Sequence, residues 1–407
     1  MHRSYTRRRF LTLAAGATAA CSGGRRCRAA AAPPSDIDPA NVVARGSLAN
    51  SRLLFERNKA GHVAFMGGSI TEMQGYRPMV CELLQRRFPA TKFTFIDAGI
   101  SSTCSTTGAF RLATDVLGKG PVDLFFVEFA VNDDQDAGHA RRACIRGMEG
   151  IVRHARRCNP QMDVLFTYFV NPGMIDAYRA GIIPVSIAAH EAVAERYAIS
   201  SIHLAREVVR QIDAGELTWK KYGGVHPAPF GNALCTRMID ALMGRQWSGP
   251  LQPDAQMAAY PLPRPLDPLS YADGRFIDPR EAAIAKGWTM EVPDWKHLPG
   301  GKRSRFTRLP MLCAREPGAE ASLKFAGTAV GAYIVAGPDA GIVEASVDGG
   351  QPQEVNLRHC YSAELHYPRT VMLATDLAPG PHVLRLRISP KSTDSGHAMR
   401  IMQFVAN

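Results

Sequence analysis

His62-Val63-Ala64-Phe65-Met66-Gly67-Gly68-Ser69-Ile70-Thr71-Glu72 is the stretch on which the reading of this chain turns. Its first five residues form a β-prone apolar run, the two glycines make a turn, and a helical pattern starts at Ser69. A serine at a glycine-flanked strand-to-helix turn exposes its hydroxyl at the carboxyl end of a sheet. The helix start offers backbone N–H groups to developing negative charge. Nucleophilic acyl transfer requires that combination. The same Ser69-Ile70-Thr71-Glu72 is also a capping box, in which Ser69 would only cap the helix.

Working outward, apolar β-rich runs alternate with amphipathic stretches from residue 61 to 245. His62 to Met66, Lys92 to Ile96, Val122 to Phe129, Val164 to Val170 and Ser200 to His203 read as strands. Tyr76 to Arg87, Gly138 to Arg157, Ser186 to Tyr197 and Phe230 to Met243 read as helices. Such alternation predicts a three-layer α/β/α domain around a parallel sheet, with ligands bound at the carboxyl ends of its strands. Residues 33–60 lead into it. Residues 246–318 are proline-rich and lack periodicity, so they read as a linker or strap. Residues 319–407 carry short strands separated by Asp348-Gly349-Gly350 and Pro379-Gly380-Pro381 turns, which predicts a β-sandwich.

Composition narrows the function class. Hydrophobic residues at 46% and charged residues at 21% are ordinary for a globular protein. The formal charge of +11 is concentrated at the start, where residues 1–28 hold seven arginines and no acid. The remainder is close to neutral, which gives no electrostatic case for nucleic acid. Thr6-Arg7-Arg8-Arg9-Phe10-Leu11 followed by the apolar run Phe10 to Cys21 resembles a twin-arginine export signal over residues 1–32. Cleavage is expected among Ala29 to Ala32; the alternative is a lipid anchor at Cys21 after Thr18-Ala19-Ala20. The apolar run falls well short of the roughly 20 residues of a membrane span. The chain is therefore expected to be exported, to the periplasm or beyond.

Seven cysteines lie beyond the signal region, none in C-x-x-C or zinc-type spacing, so neither a disulfide framework nor a metal site is expected. Asp133, Asp134 and Asp136 suit a helix start, where acids complement the dipole.

Two more segments bear on chemistry. Tyr222-Gly223-Gly224-Val225-His226-Pro227 places a histidine in a loop after the fifth strand, on the same sheet edge as Ser69 and suited to accept its proton. Glu128-Phe129-Ala130-Val131-Asn132-Asp133 closes the third strand. There the Asn132 amide can donate to an oxyanion, or Asn132 and Asp133 can cap the next helix.

Gly-Gly-Ser-Ile-Thr at 67–71, Ala-Val-Asn-Asp at 130–133 and Gly-Gly-Val-His-Pro at 223–227 resemble, in order and spacing, the first, third and fifth blocks of the SGNH (GDSL-type) hydrolases. The resemblance covers residues 61–245 and implies a flavodoxin-like sheet, Ser69 as nucleophile and His226 as base. It also implies an oxyanion hole from Ser69, Ser102 and Asn132, and no metal or organic cofactor. Ser102 stands at the register of the family's oxyanion glycine, with Gly99 the alternative, and a backbone donor survives that change if Ser102 can adopt the needed φ/ψ. Gly223 occupies the place of the family's orienting Asp, so a backbone carbonyl or an acid from elsewhere, Asp213 or Glu216, is expected to hold the imidazole. An exported SGNH domain with a β-sandwich is similar to bacterial carbohydrate esterases, which implies an acylated, most simply acetylated, polysaccharide as substrate. Tyr76, Arg77, Tyr168, Asn171 and Trp219 are candidate substrate contacts on that reading. A lipid esterase or thioesterase, and a non-catalytic carbohydrate-binding protein, are the competing expectations.

Overall fold

The computed structural model describes residues 37–392 and 396–407. The expected signal segment 1–32, with Cys21, lies outside the described residues.

Six strands build the first sheet: β1 (Val42–Val43), β2 (Ala60–Gly67), β3 (Lys92–Gly99), β4 (Leu124–Glu128), β5 (Asp163–Thr167) and β6 (Ser200–Ile202). Their spatial order is β1-β6-β5-β4-β2-β3, with β2 to β6 parallel and β1 antiparallel at the edge. Among the described residues ten α-helices accompany it: α1 (Ala49–Leu53), α2 (Ser69–Glu72), α3 (Tyr76–Arg87), α4 (Ser105–Asp115), α5 (Arg141–Cys158), α6 (Pro172–Arg179), α7 (Val185–Arg196), α8 (Leu204–Asp213), α9 (Trp219–Tyr222) and α10 (Pro229–Gln246). α4, α5 and α7 pack in one row, while α3 and α8 pack on α10. Every residue of β4 and β5 is buried, the mark of strands covered on both faces. From β2 the chain moves to β3 on one side and then to β4 on the other. The carboxyl ends of β2 and β4 thus flank a topological switch point, where such sheets open a crevice.

Two antiparallel sheets form the second module: β15 (Tyr367–Ala374), β12 (Val330–Ala336), β17 (Met399–Ala406), β10 (Met311–Ala314) and β9 (Trp288–Glu291) in one, with β7 (Arg275–Ile277) also on β17. The other runs β14 (Gln353–Asn356), β13 (Ile342–Val347), β16 (Pro381–Ile388), β11 (Glu320–Ala326) and β8 (Ala283–Lys286). The segment read as a linker therefore divides. Its proline-rich half packs on the α/β domain, as in the Trp247 indole N–H donating to Leu48 O at 2.8 Å. From Arg275 onward it supplies β7 to β10 to the sandwich. These strands are three or four residues long and pair with partners as distant as β17, so no local periodicity marks them.

β12 shows how the modules join. All seven residues are buried, yet Ala332 and Ile334 belong to the core between the two β-sheets, while Tyr333 and Val335 belong to the core shared with the α/β domain. The period-2 alternation of a strand sends them to opposite faces. Each such side chain buried in the shared core contributes roughly 1.5–3 kcal/mol. Arg146 adds polar links, with Nη2 2.5 Å from Asp376 and Nε 3.0 Å from Asp267.

Candidate active site

Ser69 sits where β2 ends. Gly68 is the cap residue, without a side-chain bond to the helix, and Ser69 is the first helical residue, so the capping reading of Ser69 does not hold. α2 lasts a single turn before Met73 becomes extended, so the donors available there are individual N–H groups rather than the end of a long dipole. A Cβ at Gly68 would lie 2.0 Å from Asn132 Oδ1, so a side chain there would displace the Asn132 amide. Beneath the turn, fully buried Arg111 donates through Nη2 to Gly67 O at 3.0 Å and through Nη1 to Ala98 O at 2.7 Å, tying the ends of β2 and β3 together.

His226 arrives from the opposite end of the domain sequence. Gly223 (φ 110°) and Gly224 (φ 86°) turn the chain through left-handed backbone, and Ala228 N donates to Tyr222 O at 2.8 Å to close the loop. His226 Nε2 and Ser69 Oγ share a 2.8 Å hydrogen bond across 157 positions. A Cβ at Gly223 would stand 1.9 Å from Ala228 N. The loop that delivers His226 is thus built on the absence of a side chain where the resembled family carries its acid.

Ser102 has φ 71°, the left-handed conformation expected of a glycine at this point. Asn132 is buried, and its Nδ2 donates to Asp136 Oδ2 at 2.5 Å within the π-helical turn Asn132–Asp136. Neither Asn132 nor Asp133 caps the following helix, whose cap is Ala140. Instead Asp133 reaches back to the start of α4, accepting from Ser105 N at 2.8 Å and Ser105 Oγ at 2.7 Å. An open cavity of about 570 Å³ is lined by Ser69, Ser102, Asp136, His226, Arg303 and Tyr367, among others.

The carboxylates below this cavity diverge. Burial pushes Glu128 up to about 8, with the Asp133 charge adding to it and His190 opposing. Burial would raise Asp133 too, but the adjoining His139 and His190 imidazoles outweigh it and hold Asp133 well below the usual carboxylate range.

Residues 65–234 match the model of the GDSL-like Lipase/Acylhydrolase family. The chain carries a GDSL-like lipase/acylhydrolase domain. It is accordingly an ester hydrolase by class. No curated relative matches the sequence. Among solved structures, a two-domain esterase active on acetylated mannans, co-crystallized with mannopentaose, is similar in fold at 20% identity and a TM-score of 0.73. The likeness spans 91% of this chain and 98% of that one, so both modules of the fold recur together. An acetyl xylan esterase from Geobacillus stearothermophilus is 18% identical with a TM-score of 0.36, over 46% of this chain and 97% of that one.

Around the GDSL-like serine several sequence expectations do not come together. Asp213 is held by Arg179 Nη2 at 2.7 Å, and Glu216 by Arg210 Nη2 at 3.3 Å, so among the described residues neither acid bonds to His226. The proposed substrate contacts are likewise placed elsewhere. Tyr76 is buried against Phe65 and Phe169, its hydroxyl 3.1 Å from Thr71 Oγ1. Arg77 pairs with Asp97 at 2.8 Å. Tyr168 is buried edge-on to His203. Asn171 caps α6 by accepting from Met174 N at 2.9 Å and donates to Asp134 at 2.7 Å. Trp219 stacks on Tyr222 at 5.4 Å. Each serves local packing or capping, because a strand or helix end turns only part of its residues to the crevice.

The cavity of this GDSL-like domain has contributors that sequence reasoning missed. Residues 292–310 form a long excursion between the paired strands β9 and β10, and Arg303 on it donates through Nη1 to Ser101 O at 3.0 Å and through Nη2 to Ser102 Oγ at 2.8 Å. Tyr361 and Tyr367 come from the β module as well. Gly300-Gly301 ahead of the basic run Lys302-Arg303 was the available signal for a turn carrying charge.

Proposed function

We propose that this protein is an exported serine esterase that removes O-acyl groups, O-acetyl in the simplest case, from a polysaccharide. The observation that carries the reading is the 2.8 Å hydrogen bond between Ser69 Oγ and His226 Nε2 over an open cavity. In the proposed reaction His226 accepts the Ser69 proton as Ser69 attacks the ester carbonyl. The N–H groups of Ser69 and Ser102 and the Asn132 amide stabilise the oxyanion. His226 then protonates the departing sugar hydroxyl, and water, activated by His226, releases the acid and regenerates Ser69. With Gly223 in the acid's place, the pair works as a dyad in which the loop itself sets the orientation of the imidazole.

A polysaccharide substrate is favoured by Arg303, Glu364, Tyr361 and Tyr367 on the cavity wall, which can hydrogen-bond to or stack on a sugar, and by the two-domain architecture shared with an esterase active on acetylated mannans. Export is the reading of the first 32 residues; among the described residues, no helix is long and apolar enough to cross a membrane.

Acetate release from a panel of acetylated mannan, glucomannan and xylan tests this function. Wild type is expected to release acetate and Ser69→Ala to release none. Preference for long-chain p-nitrophenyl esters over every glycan would defeat the polysaccharide reading. Failure of a fluorophosphonate probe to label Ser69 would defeat the serine mechanism itself.

A further inference from the structure

Near the Ser69–His226 cavity, beside a small cavity that shares Ser102, Asp136 and Tyr367 with it, lies a group of side chains that this reaction does not use. Cys104 precedes α4, and Asp133 and His139 belong to the segment between β4 and α5. One ligand-type atom of each, the Cys104 thiol, an Asp133 carboxylate oxygen and a His139 ring nitrogen, lies within 4.8 Å of the other two. Cys104 and Asp133 are buried, and His139 is nearly so. We propose that Cys104, Asp133 and His139 bind one zinc-type divalent cation.

Three observations carry the assignment. First, His139 Nδ1 is buried 3.4 Å from Asp133 Oδ1 and makes no hydrogen bond with acceptable geometry, a deficit that a metal bond would remove. Second, Asp133 is held as a ligating carboxylate needs to be. Ser105 N donates to Oδ1 at 2.8 Å, while Ser105 Oγ and His190 Nε2 bond to Oδ2 at 2.7 and 2.8 Å. An ionised carboxylate has about four acceptor sites, so Oδ1 retains one for a cation while the outer partners fix its orientation. Third, a cavity of about 40 Å³ bounded by Cys104, His139, Asp136 and His359 adjoins two of the three groups and has room for a water as fourth ligand.

The donor set selects the ion. A thiolate and an imidazole favour zinc over magnesium or calcium, which prefer oxygen alone, and three protein ligands with one open position suit tetrahedral zinc. Thiolate and carboxylate together neutralise the dication, so the loaded site buries no net charge. Cys104 releases its proton to solvent on binding, as does His139 where it is charged. Cys144 and His190, which form a second buried group with Asp133, stand behind the carboxylate. The ion would tie the segment carrying Ser102 to the turn carrying Asn132, which makes its role structural bracing, independent of the esterase reading.

The test uses the full-length, untagged chain, stripped with a chelator and titrated with Co²⁺ as a spectroscopic stand-in for Zn²⁺. The expected result is one ion per chain, with tetrahedral visible bands, a thiolate-to-cobalt charge-transfer band and proton release. Zn²⁺ is expected to displace the cobalt and raise Tm. Cys104→Ser should lose the charge-transfer band, and His139→Gln should lose stoichiometric binding, with circular dichroism checking that each variant folds. Absence of stoichiometric uptake by folded wild-type protein overturns the proposal whatever the variants do. So do cobalt spectra unchanged in a folded Cys104→Ser chain, since exposed Cys158 and Cys360 would then be the ligands.

Discussion

Arg303 donates to Ser102 Oγ at 2.8 Å from an excursion of the β module, while Ser102 itself holds the left-handed turn after β3. The β module therefore reaches the edge of the α/β domain that carries Ser69 and His226 rather than standing apart from it. A charge-assisted hydrogen bond contributes about 1.5–3 kcal/mol, so Arg303→Ala is expected to lower kcat/KM on p-nitrophenyl acetate by roughly 10- to 100-fold. Arg303→Lys should recover only part of this, because a point ammonium cannot span the Ser101 carbonyl and the Ser102 hydroxyl as the guanidinium fork does. An unchanged rate in a folded Arg303→Ala variant would show that this link serves packing alone.

Asn132 and Asp136 make a second linked pair. The amide has two N–H groups; one goes to Asp136, which leaves the other for an oxyanion. Asn132→Ala is expected to cost about 2.7–4 kcal/mol of barrier, or 10²–10³ in kcat. Asp136→Ala, which leaves the amide unoriented, should lose less, and the double variant should be no slower than Asn132→Ala alone. Additive losses in that cycle would separate the two residues' roles.

Glu128 gives a pH dependence with a definite sign. It faces Asp133 and His190 as well as Tyr76 of α3 and Tyr222 and Cys235 beside it, and burial raises it to about 8. The folded state then keeps a proton that the unfolded chain releases near the ordinary glutamate value. Stability accordingly falls as pH rises from about 4.5 to 8, because there the unfolded state binds fewer protons. Glu128→Gln removes that slope: its Tm should be close to wild type at pH 5 and several degrees above it at pH 8.5. Parallel Tm curves for the two proteins across that range would contradict the assignment.

How much of this was legible in the sequence depends on whether a feature is local. Ser69 and His226 each sit in a five-residue glycine motif; that of Ser69 closes β2, while that of His226 lies in the loop between α9 and α10, so the motifs were legible but the two helices between β6 and His226 were not. Tyr76 and Tyr168 lie near strand and helix ends too, but which side of an element faces the crevice is set by its packing, and theirs face the core. Arg303 was illegible for a different reason: β9 and β10, which hold its excursion, are four-residue strands recognisable only through their partners. The same long-range pairing hid the start of the β module inside a proline-rich segment.

Gly223 offers the sharpest test of how far the resembled family's rules carry over. Restoring the acid by Gly223→Asp would complete a triad on paper, yet the residue has φ 110° and its Cβ would sit 1.9 Å from Ala228 N. A non-glycine residue in such backbone costs about 1–3 kcal/mol even without a clash, and relieving the clash must shift the 223–228 loop that delivers His226. The substitution is therefore expected to lower Tm and to slow acetate release, not speed it, while Asp213→Asn and Glu216→Gln leave turnover close to wild type. Acetate release measured beside Tm for the three variants checks this. A faster Gly223→Asp enzyme would mean that the loop accepts the acid and that the wild type lacks only the carboxylate.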